Sequence, residues 1–372
     1  MEGQPALYGR PGPVTEMDTE FATGGGFSHE AVLYRQPAQY RSAVLGFVRD
    51  GLARSEPVLV ALPAATAESI RGDLGEHPDL AFADLGQLGR NPGRIIPAVW
   101  DFADRHAGRR VRFVSEPVWP GRSAAEIRAA VAHEARVNLA FAGAPVAVMC
   151  PYDASRLAPE VTANAARTHP VLHTPDGTRD SPDYAAGRIP RWPLSRPPGR
   201  AQRLDYTSDL RSVRAAVSRY AQDAGLVADR LPDLVIAVGE VIANTLRHTS
   251  GGGTLLIWRT RSEVICQISD AGRITDPLVG LRRPVGPGGL GLWVVNQVCD
   301  LVELRTGTRG TTIRLHMSLE SAPAPRPARS RPQSQADVPA EDPAEVTVED
   351  LVVTAEDLAA DPAPDSSADS RR

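Results

Sequence analysis

Three stretches in the second half of the chain carry residue types that can do chemistry together. The first is Glu240-Val-Ile-Ala-Asn244-Thr-Leu-Arg247-His248. On a helix, positions 240, 244 and 248 stack on one face, so a carboxylate, an amide and an imidazole share a stripe. A carboxylate can accept a hydroxyl proton, and an amide oxygen is a hard ligand of the kind Mg²⁺ takes. The second stretch is Ser269-Asp270-Ala-Gly272, directly after an apolar run. A strand-end Asp can accept a hydrogen bond from an amine, and the glycine lets a ligand approach the backbone. The third is Gly286-Pro-Gly288-Gly289-Leu-Gly291, running into Leu-Trp-Val-Val. The free amides and dipole of a helix start favour phosphate. Taken singly, each has an ordinary reading: a polar helix stripe, a turn, a flexible loop. The glycine stretch is neither a Walker A motif, which needs a Lys that this chain lacks, nor a Rossmann fingerprint, because no strand leads directly into it.

These residues need elements to hold them. Leu210, Val213, Val217, Tyr220 and Ala224 recur at helical spacing. A second helix is expected over 231–248, strands over 254–258 and 264–269, a helix over 290–300, and strands over 303–306 and 311–317. Helices on one side of an antiparallel-leaning sheet make an α/β sandwich. The first half reads differently. Helices over 38–54, 64–76, 94–107 and 123–139 alternate with apolar strands over 57–63, 80–84, 111–114 and 145–150, the pattern of an α/β domain with a mostly parallel sheet. Between the halves lie prolines 175, 182, 190, 193, 197 and 198 with no sustained periodicity, the signature of a linker and of two separable domains. The expected boundaries are a disordered N-terminus (1–26), a first domain (27–174), a Pro-rich linker (175–204), a second domain (205–319) and a disordered acidic tail (320–372). The tail carries eleven acids and no base over 337–369, too few apolar groups and too much charge to fold alone. A solubilising role is one reading; a docking segment at 346–358 is the other.

The 372 residues suit two domains with tails, and 42% hydrophobic residues suffice for two cores. A net charge of −4 gives no sign of a nucleic-acid or anionic-membrane binder. All 41 basic residues are Arg, so side-chain phosphate contacts fall to Arg or His. Cys150, Cys266 and Cys299 lie far apart and fit a reducing compartment. No apolar run approaches the roughly 20 residues of a membrane span, and the N-terminus lacks a secretory pattern. A cytoplasmic protein is the expectation.

The order of the three motifs, followed by Gly310-Thr-Thr312 on a last strand, resembles the GHKL ATP-binding fold, and most closely its anti-sigma-factor serine/threonine-kinase branch, over about 205–317. Gly289-Leu-Gly-Leu-Trp-Val-Val-Asn-Gln-Val-Cys-Asp300 and Gly310-Thr-Thr-Ile-Arg-Leu carry the likeness. It implies ATP and Mg²⁺ as cofactors. Asn244 would hold Mg²⁺, Glu240 would be the catalytic base and Asp270 would bind the adenine amino group. Gly272 would let the base approach. Gly286, Gly288, Gly289 and Gly291 would form the lid. Arg247 and His248 would help neutralise phosphate charge, and Thr312 would support the adenine. In place of the family's second glycine, two residues after Gly272, stands Ile274.

The first domain resembles the MEDS (methanogen/methylotroph sensory) domain over about 27–173. The likeness rests on His29-Glu-Ala-Val-Leu-Tyr34, Gly51-Leu-Ala-Arg-Ser-Glu56-Pro-Val, Glu116-Pro-Val-Trp119, Glu134-Ala-Arg-Val-Asn138, Cys150-Pro-Tyr-Asp153 and Thr168-His169-Pro170. It implies a RecA-like three-layer α/β fold used for sensing. His29, Cys150 and His169 are candidates for a ligand, redox or metal site, with a purely structural role as the commoner alternative. Tyr34, Trp119 and Tyr152 are candidates for a pocket lining, or for core. The joint implication is a signal-responsive regulator that phosphorylates Ser or Thr on a STAS-type anti-sigma-factor antagonist, sequesters a sigma factor, or both. It leaves a homodimer open, and the signal is unknown. Two rivals stand beside it: a sensor histidine kinase, for which the chain offers no helical hairpin with an acceptor His, and an ATP-binding interaction module without kinase activity.

Overall fold

The computed structural model describes residues 21, 26–249, 251–283 and 289–319. The expected disordered N-terminus and acidic tail lie almost wholly outside them. So do Gly286 and Gly288 of the glycine stretch.

The first domain is built on a seven-stranded sheet of order β3-β2-β4-β5-β1-β6-β7. The strands are β1 (Ser28–Tyr34), β2 (Val58–Leu62), β3 (Leu80–Asp84), β4 (Val111–Ser115), β5 (Val146–Asp153), β6 (Val171–Thr174) and β7 (Gly177–Asp180). All pair in parallel except β7, which folds back on β6. β2 is buried along its whole length, as strands covered on both faces must be. Successive strand residues feed two separate cores. Val58, Val60 and Leu62 pack with α1 (Pro37–Ala53) and α2 (Ala64–Leu74). Leu59 and Ala61 pack with the short α3 (Leu85–Leu88), α4 (Ile95–Arg105), α5 (Ala124–Ala140) and α6 (Pro159–Thr168). The result is the expected three layers. α5 starts on a capping box: the Ser123 hydroxyl accepts from the Glu126 amide, and the Glu126 carboxylate accepts from the Ser123 amide at 2.7 Å. Such caps contribute about 1 kcal/mol.

The Gly51…Glu56 motif has a packing explanation. Arg112 is fully buried on β4. Its guanidinium donates to the Asp50 carboxylate at 2.6 Å and the Phe47 carbonyl at 2.9 Å, and pairs with Glu56. A Cβ at Gly51 would come within 2.6 Å of the Arg112 Cδ, so only glycine admits this arginine.

The second domain is a five-stranded antiparallel sheet of order β11-β12-β10-β9-β8. Its strands are β8 (Gln202–Tyr206), β9 (Gly253–Arg259), β10 (Glu263–Asp270), β11 (Leu301–Gly307) and β12 (Gly310–Ser318). Three helices cover one face: α7 (Leu210–Asp223), α8 (Leu231–His248) and α9 (Leu290–Val298). Val217, Val238, Ile242 and Val295 from the helices meet Leu255, Cys266 and Leu315 from the strands in one core.

Residues 175–204 are more structured than a linker implies. They begin with β7 and end in β8, and the stretch between them crosses the outer face of the second sheet. There Arg305 donates to the Trp192 carbonyl, and Arg314, stacked over Trp258, donates to the Ser195 hydroxyl and carbonyl at 2.8 and 2.7 Å. Prolines remove donors and periodicity, so side chains of the sheet supply the hydrogen bonds that hold this strap.

The two domains also touch directly. Asn91 donates to the Asn296 carbonyl at 2.8 Å, and Arg94 donates to the carbonyls of Asn296 and Cys299 at 3.1 and 2.9 Å. A buried arginine thus grips the C-terminal end of α9, where free carbonyls favour a cation. Burial lowers its pKa to about 10, which keeps it charged at neutral pH. Leu281 lies in the first domain's core with Leu278 packed beside it, and Arg282 sits 4.3 Å from the ring centre of Trp100. From α5, Arg128 pairs with Glu303 at 3.5 Å and Arg136 donates to the Pro277 carbonyl at 3.0 Å. Among the described residues no helix is long and apolar enough to cross a membrane.

Candidate functional site

The three chemical stretches converge on the helix-covered side of the second sheet. Glu240 and Asn244 are half-buried, one turn apart on α8. The first turn of α9 lies against them: a Cβ at Gly291 would stand 2.7 Å from the Glu240 Oε2 and 3.2 Å from the Asn244 Nδ2. Gly289 precedes that turn with φ +83°, the left-handed region that favours glycine, and no side chain caps the helix. The amides opening α9 are the groups that an acceptor at this helix start would meet.

Asp270 ends β10 and is held from two sides. Its Oδ1 accepts from the Gly272 amide at 2.7 Å and its Oδ2 from the Thr245 hydroxyl at 2.6 Å. Thr245 in turn accepts from the Tyr206 hydroxyl at 3.1 Å. Neither Thr245 nor Tyr206 stands among the sequence candidates, although Thr245 adjoins Asn244. Gly272 is tightly placed: a Cβ there would meet Asp270 and the Thr249 methyl at 2.9 Å.

The structure moves one assignment. Asp270 pairs with Thr311 across β10 and β12, while Thr312 pairs with Ser269. Neighbouring strand residues point to opposite faces, so Thr312 faces away from Asp270, its hydroxyl 3.1 Å from that of Ser269. Thr311 takes the place on the site face, donating to the Gly272 carbonyl at 2.9 Å. Arg247 and His248 stand exposed in the last turn of α8. Ile274 uses its side chain for packing against the core, and its amide donates to the Thr306 hydroxyl at 3.1 Å.

A cleft of about 160 Å³ lies elsewhere, between the domains. Asn91, His133 and Arg136 line it from the first, and Ile274, Leu292 and Glu303 from the second.

In the first domain, His29, Cys150 and His169 come together with Glu134 in one buried cluster. Tyr34, Trp119 and Tyr152 do not share a pocket. Tyr34 is 3.5 Å from Glu116, Trp119 lies under Arg122, and Tyr152 packs edge-on against His169. Burial, aided by the Asp153 charge, pushes the Glu116 carboxyl up to about 8.

Residues 28–170 match the model of the MEDS family, the methanogen/methylotroph, DcmR sensory domain. Residues 204–317 match that of the histidine kinase-like ATPase domain. The chain carries a MEDS domain followed by a histidine kinase-like ATPase domain. The ATPase half is similar to the serine-protein kinase RsbW of Halalkalibacterium halodurans. The two are 32% identical over 110 residues, a match covering 25% of this chain and 66% of that relative, just under two thirds of its length. Among solved structures, the RsbU and RsbW domains of Rv1364c from Mycobacterium tuberculosis align over 31% of this chain and 32% of theirs. The identity there is 19% and the TM-score 0.24.

Proposed function

We propose that this protein is a signal-responsive regulator of the anti-sigma-factor kinase type. Its ATPase domain binds Mg-ATP and phosphorylates a Ser or Thr hydroxyl on a STAS-type antagonist, with sigma-factor sequestration as the complementary activity. One observation carries this reading: Glu240 and Asn244 stand one turn apart on α8, facing the glycine-opened start of α9, with Asp270 held in a fixed direction close by. The ATPase family match and the resemblance to RsbW support it.

The residues fit the group. Asn244 would offer an amide oxygen to Mg²⁺, the amides that open α9 would meet phosphate, and the doubly held Asp270 would present a carboxylate to the adenine amine. Bound Mg-ATP supplies the phosphoryl group. Glu240 takes the proton from the incoming hydroxyl as its oxygen forms the new bond to phosphorus, and ADP leaves with the electrons of the broken bond. His173 makes a poor phospho-acceptor. It is fully buried on β6, its Nε2 2.7 Å from the Glu30 carboxylate.

The test is transfer of labelled phosphate from ATP to a STAS-type antagonist. The product should survive mild acid, persist in His173→Ala and vanish in Glu240→Ala with ATP binding intact. An acid-labile phosphate on the chain itself would establish a histidine kinase. Bound ATP with no phosphate on any partner would establish an interaction module.

A further inference from the structure

Four groups from four elements meet inside the MEDS domain: His29 from β1, Glu134 from α5, Cys150 from β5 and His169 at the end of α6. All four are essentially excluded from solvent. The Glu134 Oε2 lies 2.9 Å from the His29 Nε2, 3.1 Å from the His169 Nε2 and 3.4 Å from the Cys150 Sγ. The Cys150 Sγ lies 3.6 Å from the His29 Nε2, and all four atoms fall within 4.8 Å of one another.

The surrounding hydrogen bonds fix what these atoms can be. Asn138 spends both amide hydrogens on the carbonyls of Glu134 and Thr168, at 3.2 and 2.7 Å. Its oxygen therefore faces the His29 Nδ1 at 3.2 Å, which makes that nitrogen the donor. The His169 Nδ1 faces the Ala165 carbonyl at 2.9 Å and donates likewise. With Nδ1 as the donor, each ring in its neutral form would turn an Nε2 lone pair toward the same carboxylate oxygen. In that form three acceptors share the one thiol hydrogen of Cys150, and the His169 Nε2, 3.1 Å from the Glu134 Oε2, meets an acceptor where it needs a donor. Buried acceptors in that arrangement repel one another unless a positive centre lies among them.

We propose that His29, Glu134, Cys150 and His169 form a four-coordinate site for a divalent cation of the zinc class. Zinc takes nitrogen and oxygen at about 2.0–2.2 Å and thiolate sulfur at about 2.3 Å. A tetrahedron of those bond lengths has edges of about 3.3 Å between N or O ligands and about 3.6 Å to sulfur. The separations above scatter around those edges. Two imidazoles and a thiolate suit a borderline cation and argue against Mg²⁺ or Ca²⁺, which prefer all-oxygen shells. Binding releases the thiol proton to solvent. The thiolate and carboxylate then balance the two positive charges, so a neutral unit occupies the dry interior. Asn138 and the Ala165 carbonyl orient the two rings, as outer partners of metal-bound histidines do. Four protein ligands leave no open position for a water nucleophile, so the ion ties elements together and does no hydrolysis. One of those elements is α5, whose Arg128 and Arg136 reach the ATPase domain.

The test uses the full chain, purified without chelator from zinc-supplemented cells and, separately, refolded with Co²⁺. Expected are one zinc per chain by elemental analysis, and in the cobalt form the intense visible bands of a tetrahedral ion with a thiolate-to-cobalt charge-transfer band. Cys150→Ala should lose that band, and Asn138→Ala, a positioning change, should weaken affinity about 10–100-fold. Should Cys150→Ala not fold, the wild-type cobalt spectrum still decides. Folded wild-type chain that takes up neither metal overturns the proposal. So does stoichiometric metal with an octahedral, thiolate-free cobalt spectrum.

Discussion

The two polar constellations of this molecule are built on opposite principles. The cluster of His29, Glu134, Cys150 and His169 is sealed, and its side chains already point at one another. Glu240, Asn244 and Asp270 are half-exposed, and none is bonded to another of the three. They are aligned by a helix repeat, a glycine and a threonine, and their free faces look outward. A sealed set of polar groups has consequences for stability, because water cannot replace a missing partner. An open set has consequences for ligand binding and chemistry.

That contrast can be broken by experiment. The largest expected effect is Glu240→Ala, with a loss of about 10²–10⁴ in phosphoryl-transfer rate and a melting temperature close to wild type. A large fall in melting temperature would place Glu240 with the structural groups. Next comes Glu134→Ala, expected to destabilise by about 3–5 kcal/mol, the usual cost of breaking a buried charged network. Denaturant unfolding measures it, and a change below about 1 kcal/mol would mean that water fills the site.

Glu116 sharpens the sealed side through pH. An unfolded Glu titrates near ~4.3, and this one is pushed up to about 8. Between those values the folded chain keeps a proton that the unfolded chain has released. The contribution of this group is therefore fully present below pH ~4.3 and is lost as pH rises through 8, with a slope of at most roughly 1.4 kcal/mol per pH unit. Glu116→Gln should flatten the stability profile over that window. The smallest effect is on the open side. Thr245→Val removes one hydroxyl from Asp270 and should weaken ATP binding by about 1 kcal/mol, roughly fivefold, while Thr312→Val leaves it unchanged. Equal losses in both would contradict the face assignment of β12.

Most of the architecture is legible in the residue pattern; the exceptions are elements too short to show a period or held by partners far along the chain. β1 is hard to read because it begins Ser28-His29-Glu30, and His29 and Glu30 are polar residues that look exposed yet are buried against partners far along the chain. β6 and β7 are short and sit among prolines, and α6 packs only a few residues into the core. That Glu240 and Asn244 share one face of α8 follows from helix spacing. The places of Thr245 and Thr311 do not: Thr245 reaches Asp270 only because α8 packs on β10, and Thr311 depends on which strand residues pair, both of them tertiary facts. The strap across the second sheet was equally hidden, since its hydrogen bonds come from Arg305 and Arg314, more than a hundred residues downstream.

α9 is gripped at its C-terminal end by Arg94, and Leu281, ahead of the glycine stretch, is seated in the core of the MEDS domain. Leu281 and the C-terminal end of α9, on either side of the glycine stretch, are thus both anchored in the other domain. Thermodynamic reciprocity then binds the two halves: by whatever factor a signal in the MEDS domain changes nucleotide affinity, nucleotide must change affinity for that signal.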